Sequence, residues 1–275
     1  MKSDAVLPDD KKMPLLDHIV ELRNRLLWCV AALVIVFLAT FLLIAQDIFN
    51  FLVQPLADIL LKRNPNARMF FGDITEFFFT QVKVAFFFAA FVCAPVILTQ
   101  IWRFVAPGLY KNERRALLPF LFATPVLFAL GAAMVYYILM PMAWEFFLSF
   151  EQTGVAAEGT LNIVLDPKVK EYLSLVMLLI FAFGLSFQLP VVLTLLARVG
   201  IASSAGLARS RRYAIVLVFV FAAIFTPPDP VSQLALAVPI ILLYELSIQL
   251  AKITERKRMQ REAEAEREAQ EAESA

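Results

Sequence analysis

Twenty consecutive residues without a single charge, LLWCVAALVIVFLATFLLIA at 26–45, restrict this chain more than any other feature. A bilayer core about 30 Å thick is crossed by about 20 mostly apolar helical residues. Similar runs follow at 77–98, broken by Lys83, at 116–140, carrying Pro119 and Pro125, and at 172–197, with Gln188 and Pro190 in its second half. Beyond Arg212 the last apolar stretch is cut by TPPDP at 226–230, whose prolines cannot continue a helix in the ordinary way. That pattern predicts a helical hairpin, with a short fifth span at 213–225 and a sixth at 231–250. Composition agrees: 60% of the 275 residues are hydrophobic and only 18% charged, against roughly 45–50% apolar in ordinary globular chains. A water-facing fold could not hide so much apolar surface. The first run does not read as a cleavable signal, because polar-rich sequence precedes it and no small-residue cleavage site follows promptly. Cys29 and Cys93 both lie in apolar runs and read as small buried hydrophobes.

Loop charge sets the orientation. Nineteen Lys and Arg fall in the N-terminal segment, the second and fourth connections and the tail, five on the opposite side, and Lys83 inside a span. By the positive-inside rule both termini are cytoplasmic, and an even span count gives the same answer. The fold expected is therefore all-α: one polytopic membrane domain over 1–251 with six transmembrane helices, followed by a charged cytoplasmic tail at 252–275 without an apolar stripe. The two long outer connections, 46–76 and 141–171, carry aromatic and aliphatic residues and are expected to form short interfacial helices. The overall balance of 25 basic to 24 acidic residues argues against a nucleic-acid partner.

Catalytic chemistry finds little to work with. No HExxH, GxSxG, CxxC or P-loop pattern occurs, and His18 is the only histidine. No cofactor or metal is expected. Attention falls instead on carboxylates near the inner face. In LLDHIVELRNRLL at 15–27, apolar residues recur at helical spacing, while Asp17, Glu21 and Arg25 follow one another at i, i+4 on another face. From spacing alone Glu21 is a solvated partner of Arg25, and Glu113 a residue favouring the positive end of a helix dipole.

Four blocks alter that weighing: PLLDHIVELRNRLL at 14–27, WRFVAPGLYKNERRALLP at 102–119, YLSLVMLLIFAFGLSFQLPVVL at 172–193 and FTPPDPVSQ at 225–233. In this order and spacing they resemble the TatC family, the multispanning component of the twin-arginine protein translocase. The resemblance implies a cup-shaped, six-helix receptor in the bacterial cytoplasmic membrane, not an enzyme. It implies binding of the twin-arginine signal peptides of folded export substrates, self-association, and assembly with TatA- and TatB-type single-span partners for export driven by the proton-motive force. Matched position by position, Glu21 and Glu113 fall on the family's acidic patch for the signal's arginines, Phe104 beside it, and Arg23 on a neighbouring basic position. Carboxylates bind guanidinium groups bidentately, a geometry lysine cannot reproduce.

Gln188 stands where the family often has glutamate, so direct proton carriage there is ruled out. What remains is a polar or partner contact within the membrane, a local thinning of the bilayer, or an ordinary interhelical hydrogen bond. Asp73 and Asp229 match polar outer-side positions, with turn or cap roles as the simpler reading. Lys83 reads as a snorkelling anchor. The competing function is a small secondary transporter, which would predict inverted repeats around a midplane site. The two halves show no convincing self-similarity.

Overall fold

The computed structural model describes residues 15–63, 65, 68–105, 114–150, 167–227 and 229–274. Within them the chain is helical, and no strand forms beyond an isolated bridge between Phe70 and Lys168. The helices are α1 (Leu15–Leu43), α2 (Ala45–Arg63), α3 (Ile74–Val105), α4 (Arg114–Met134), α5 (Met140–Leu148), α6 (Val169–Ser186), α7 (Leu189–Val199), α8 (Ser204–Arg209), α9 (Arg211–Phe225) and α10 (Pro230–Ser274). A π-helical segment, Val135–Leu139, joins α4 to α5. The end at which α1 begins is called the inner end below, and the opposite one the outer end.

Five helical stretches are long and apolar enough to cross a membrane: Ile19–Leu43, Ile74–Ile101, Phe122–Leu148, Val169–Arg198 and Pro230–Gln260. At 15 residues, α9 is shorter, about 22 Å at 1.5 Å per residue. The run around Gln188 and Pro190 divides into α6 and α7, because Pro190 lies in the first turn of a new helix. The charged C-terminal stretch does not separate from the last span. α10 runs unbroken for 45 residues, since no proline or glycine follows Pro239 to interrupt it.

α1 runs antiparallel along α3 and α4 along α6, while α10 packs antiparallel to α9 and parallel to α7. The central core is aliphatic and aromatic, with Phe183, Leu139, Leu173 and Val176 fully or almost fully buried. Between α4 and α6 the backbones approach closely. A Cβ on Gly131 would stand 2.8 Å from the Phe183 carbonyl oxygen, so only glycine fits that seam.

At the outer end, α2 buries Ile48, Leu52, Leu56 and Leu60 at four-residue spacing, one stripe of an amphipathic helix. Pro55 lies inside it and has no N–H to donate to the Phe51 carbonyl four residues back. The Tyr136 hydroxyl donates to that carbonyl at 2.7 Å, and its ring stacks on Phe51 with centroids 4.3 Å apart. Tyr172 makes a matching 2.7 Å bond to the Leu52 carbonyl. Arg63 donates to the Leu148 carbonyl at 2.8 Å, which places a cation at the C-terminal end of α5. Two tyrosines and one arginine thus bind the α2 cap to the bundle.

At the inner end α10 holds the α7–α9 connection. Gly200 ends α7 in the left-handed region at φ 83°, the usual glycine C-cap. Glu255 accepts hydrogen bonds from both the Ser204 amide and its hydroxyl. Arg211 pairs with Glu245 at 2.7 Å.

Candidate functional site

The first turns of α1 present their polar face at the inner end. Glu21 and Arg25 lie one turn apart and form an ion pair, with side chains 26% and 23% exposed. Arg25 Nε donates to Glu21 Oε1 at 3.0 Å, and Nη2 donates to the same oxygen. The remaining arm of the guanidinium, Nη1, donates to Gln100 Oε1 on α3 at 3.0 Å. One arginine therefore ties the beginning of α1 to the last turns of α3 and fixes the Glu21 carboxylate against that junction. Beside it lies a shallow concavity of about 440 Å³, lined by Val20, Glu21, Asn24, Arg25 and Trp28. Trp28 is 74% exposed and supplies an aromatic plane next to the charged pair.

That arrangement suits a guanidinium ligand. Glu21 already accepts two N–H groups of an arginine on one oxygen, Oε1, so the carboxylate already faces the planar donor fork that lysine lacks. About a quarter of each side chain remains exposed, so water still reaches the pair and eases an exchange of partners.

Not every expected residue joins this cluster. Arg23 is exposed and directs Nη2 at Asn24 Oδ1 at 3.5 Å. It lies two positions from Glu21, so roughly 200° around the helix separates them. Glu113 and the side chain of Phe104 lie outside the described residues, as does the side chain of His18. The pairing of Glu21 with Arg25 is the one the spacing predicted, but Gln100 was not among the residues singled out from the sequence. Gln100 is two positions before the Trp102–Arg103 pair, at the polar end of an apolar run, and that placement is the signal that could have marked it.

The remaining polar residues have structural partners. Gln188 is 4% exposed and turned into the α4–α6 seam, where Nε2 donates to the Thr124 carbonyl at 3.1 Å and the Gly184 carbonyl at 3.4 Å. Its Oε1 is buried without a partner among the described residues. Asp73 opens α3, accepting from the Ile74 amide at 2.6 Å, while Glu76 reaches back to the Gly72 and Asp73 amides, the Glu half of a capping box. Asp229 caps α10 by accepting from the Ser232 amide at 2.7 Å. Among the described residues no group of His, Cys, Asp and Glu is arranged to hold a metal ion.

Comparison with known proteins gives a consistent picture. The family described as Sec-independent protein translocase protein (TatC) matches residues 17–239. A protein of that name from Magnetococcus marinus is 48% identical over 254 residues, covering 92% of this chain and 89% of the relative. The one from Escherichia coli K12 is 39% identical over 236 residues, covering 86% of each. Among solved structures, a crystal structure of the twin-arginine translocase receptor TatC superposes with a TM-score of 0.71 at 36% identity. It covers 86% of this chain and 99% of the solved one.

Proposed function

The chain belongs to the TatC family of Sec-independent protein translocase proteins, and from that premise we propose that its inner end receives the twin-arginine signal peptides of folded export substrates. It is a multi-pass component of the bacterial cytoplasmic membrane, and its part in export is recognition and assembly. The observation that carries the proposal is the Glu21–Arg25–Gln100 junction, a partly exposed carboxylate already bonded to a guanidinium where two spans meet. An incoming signal arginine displaces Arg25 from Glu21, and Glu113 takes the second arginine of the pair. Phe104 and Trp28 flank the signal with aromatic surface, and Arg23 lies on the neighbouring basic position. Exchange of one guanidinium for another leaves no carboxylate stripped of its partner, so the full desolvation cost of an unpaired charge is avoided.

Both termini and the α7–α9 connection face the cytoplasm in this reading, as the charge asymmetry of the loops requires. TatA- and TatB-type single-span partners dock at the α9–α10 edge, where Leu217, Ile224 and Val238 are exposed. α9 is too short for a full bilayer, so this edge favours thinned lipid or a covering helix. Further copies of the chain complete the assembly.

The test is photocrosslinking of a twin-arginine signal peptide to membranes containing the parent protein or its Glu21→Gln and Glu113→Lys variants, at matched expression and salt. Cross-linking should weaken in both variants, and a signal with both arginines replaced by lysine should bind the parent poorly. Equal capture of the intact signal by parent and Glu113→Lys protein would remove the assignment. Accessibility of an epitope at Ala205 from the outer face would remove the topology.

A further inference from the structure

The cleft between the outer halves of α3 and α6 carries a second feature, unrelated to signal recognition. Lys83 lies nine residues into α3, about 14 Å from the helix start, within a stretch long and apolar enough to span the membrane. Its side chain is exposed, and among the described residues no carboxylate pairs with it. An ionisable group at such depth is costly unless something compensates it.

Two cavities meet at this lysine. Toward the outer end lies one of about 340 Å³ that Lys83 shares with Lys170, Asp73 and Glu76. The two carboxylates are already committed. Asp73 accepts from the Ile74 amide and the Thr75 hydroxyl, while Glu76 accepts from the Gly72 and Asp73 amides and pairs with Lys170 at 3.9 Å. Lys83 is thus the uncommitted charge of the chamber. Toward the midplane lies a groove of about 580 Å³, floored by Phe37 of α1 and walled by Phe86 of α3 and Leu178 and Phe181 of α6. Ser174 also lines it, exposed and without a hydrogen bond among the described residues. Lys170, Ser174 and Leu178 follow at i, i+4 along α6, so one face changes from charged to polar to apolar with depth.

We propose that this cleft binds a phospholipid of the outer-end leaflet, its phosphate held by Lys83 with Lys170 beside it, and one acyl chain lying in the phenylalanine-lined groove. Ser174 Oγ then donates to an ester carbonyl between the two. The order of chemistries down the cleft is the order within an anionic phospholipid. An apolar spanning helix of a partner would offer Lys83 no counter-charge, whereas a phosphate does. The site does not depend on the translocase reading, because it uses no residue of the inner end.

The experiment uses the full-length protein in phosphatidylcholine vesicles doped with spin-labelled phosphatidylglycerol or spin-labelled phosphatidylcholine. Parent protein should immobilise the anionic probe preferentially. Lys83→Gln should weaken that preference about fivefold, the effect expected of one basic residue near an anionic membrane surface. Lys83→Arg should retain most of it, and Ser174→Ala should lower immobilisation of both probes by a smaller factor. If Lys83→Gln proves unstable, parent protein can instead be labelled by phosphatidylglycerol carrying a photoreactive acyl chain, which should mark the segment from Phe86 to Phe87 and the region of Leu178–Phe181. Equal immobilisation of both lipids by the parent, an unchanged preference in a folded Lys83→Gln protein, or labelling that avoids these positions would overturn the proposal.

Discussion

The α4–α6 seam and the inner end of the α1–α3 pair both bring two membrane helices together around polar atoms, and they do so in opposite ways. In the seam the backbones nearly touch at Gly131, and the polar group is a neutral amide, Gln188, buried and bonded to a backbone carbonyl. At the inner end the contact is made by long side chains, the polar groups are charged, and about a quarter of each remains exposed. The helices differ in the same sense. The most apolar stretch of α1 is 6% buried within the protein, that of α6 and α7 56%. A charge is tolerable where water can still reach it, and a close backbone fit holds only where nothing has to move. The seam is therefore a fixed wall and the inner end an adjustable one, which is what the proposed exchange of arginines needs.

Substitution at the seam should have the largest effect and should fall on folding. Gly131→Leu drives a side chain into the Phe183 backbone. Overpacking of one or two methylenes costs about 1–3 kcal/mol, and a full leucine exceeds that. Thermal unfolding in detergent should show a marked loss of stability, and a stable Gly131→Leu protein would mean the seam is not rigid. Next in size comes Glu113→Gln in the proposed signal site. Losing one charge-assisted bond costs on the order of 1.5–3 kcal/mol, or about ten- to a hundredfold in signal-peptide affinity, with the melting temperature almost unchanged. An equal fall in stability would erase the contrast between the two walls.

A smaller effect is expected from Arg25→Leu. It frees Glu21 from an internal competitor while releasing α1 from Gln100, so signal affinity should change by less than about tenfold. Cysteine pairs placed across α1 and α3 near Gln100 should cross-link more slowly in the variant. Unchanged cross-linking would show that Arg25 does not fix that junction. The smallest change belongs to Gln188→Met. This removes the two side-chain hydrogen bonds and one unpartnered buried oxygen together, and replacing polar groups with an apolar group of similar shape can be nearly neutral. Gln188→Glu in the same assay should be destabilising, because it buries a carboxylate beside a carbonyl.

Charge-free runs and proline punctuation made the helical membrane fold legible. The TPPDP turn marked the boundary between α9 and α10, whereas the run at 172–197 read as one span and the structure divides it at Pro190 into α6 and α7. What could not be read were pairings across distance. Nothing around Tyr136 says that its hydroxyl will complete the backbone of a helix 85 residues earlier, because that role depends on Pro55 and on how α2 folds back over the bundle. Gln100 was hidden for the same reason: its meaning comes from Arg25 on another helix. Glu21 was legible as chemistry, but spacing alone could not separate a receptor carboxylate from a solvated one. The continuation of α10 was readable in principle, since the absence of breakers after Pro239 is a local property and mixed charge is no obstacle to a helix.

That unbroken helix has a mechanical consequence. Forty-five residues make a rod of about 68 Å, of which roughly 35 Å lies beyond Ala251. Glu255 fastens the rod to the α7–α8 connection just past the membrane boundary, and everything distal to that point is a lever. A tilt of a few degrees in the spanning part, too small to disturb the packing against α7, displaces the far end by several ångströms. The α9–α10 hairpin thus carries its own indicator arm, which turns small rearrangements at the edge of the bundle into displacements on the scale of a side chain.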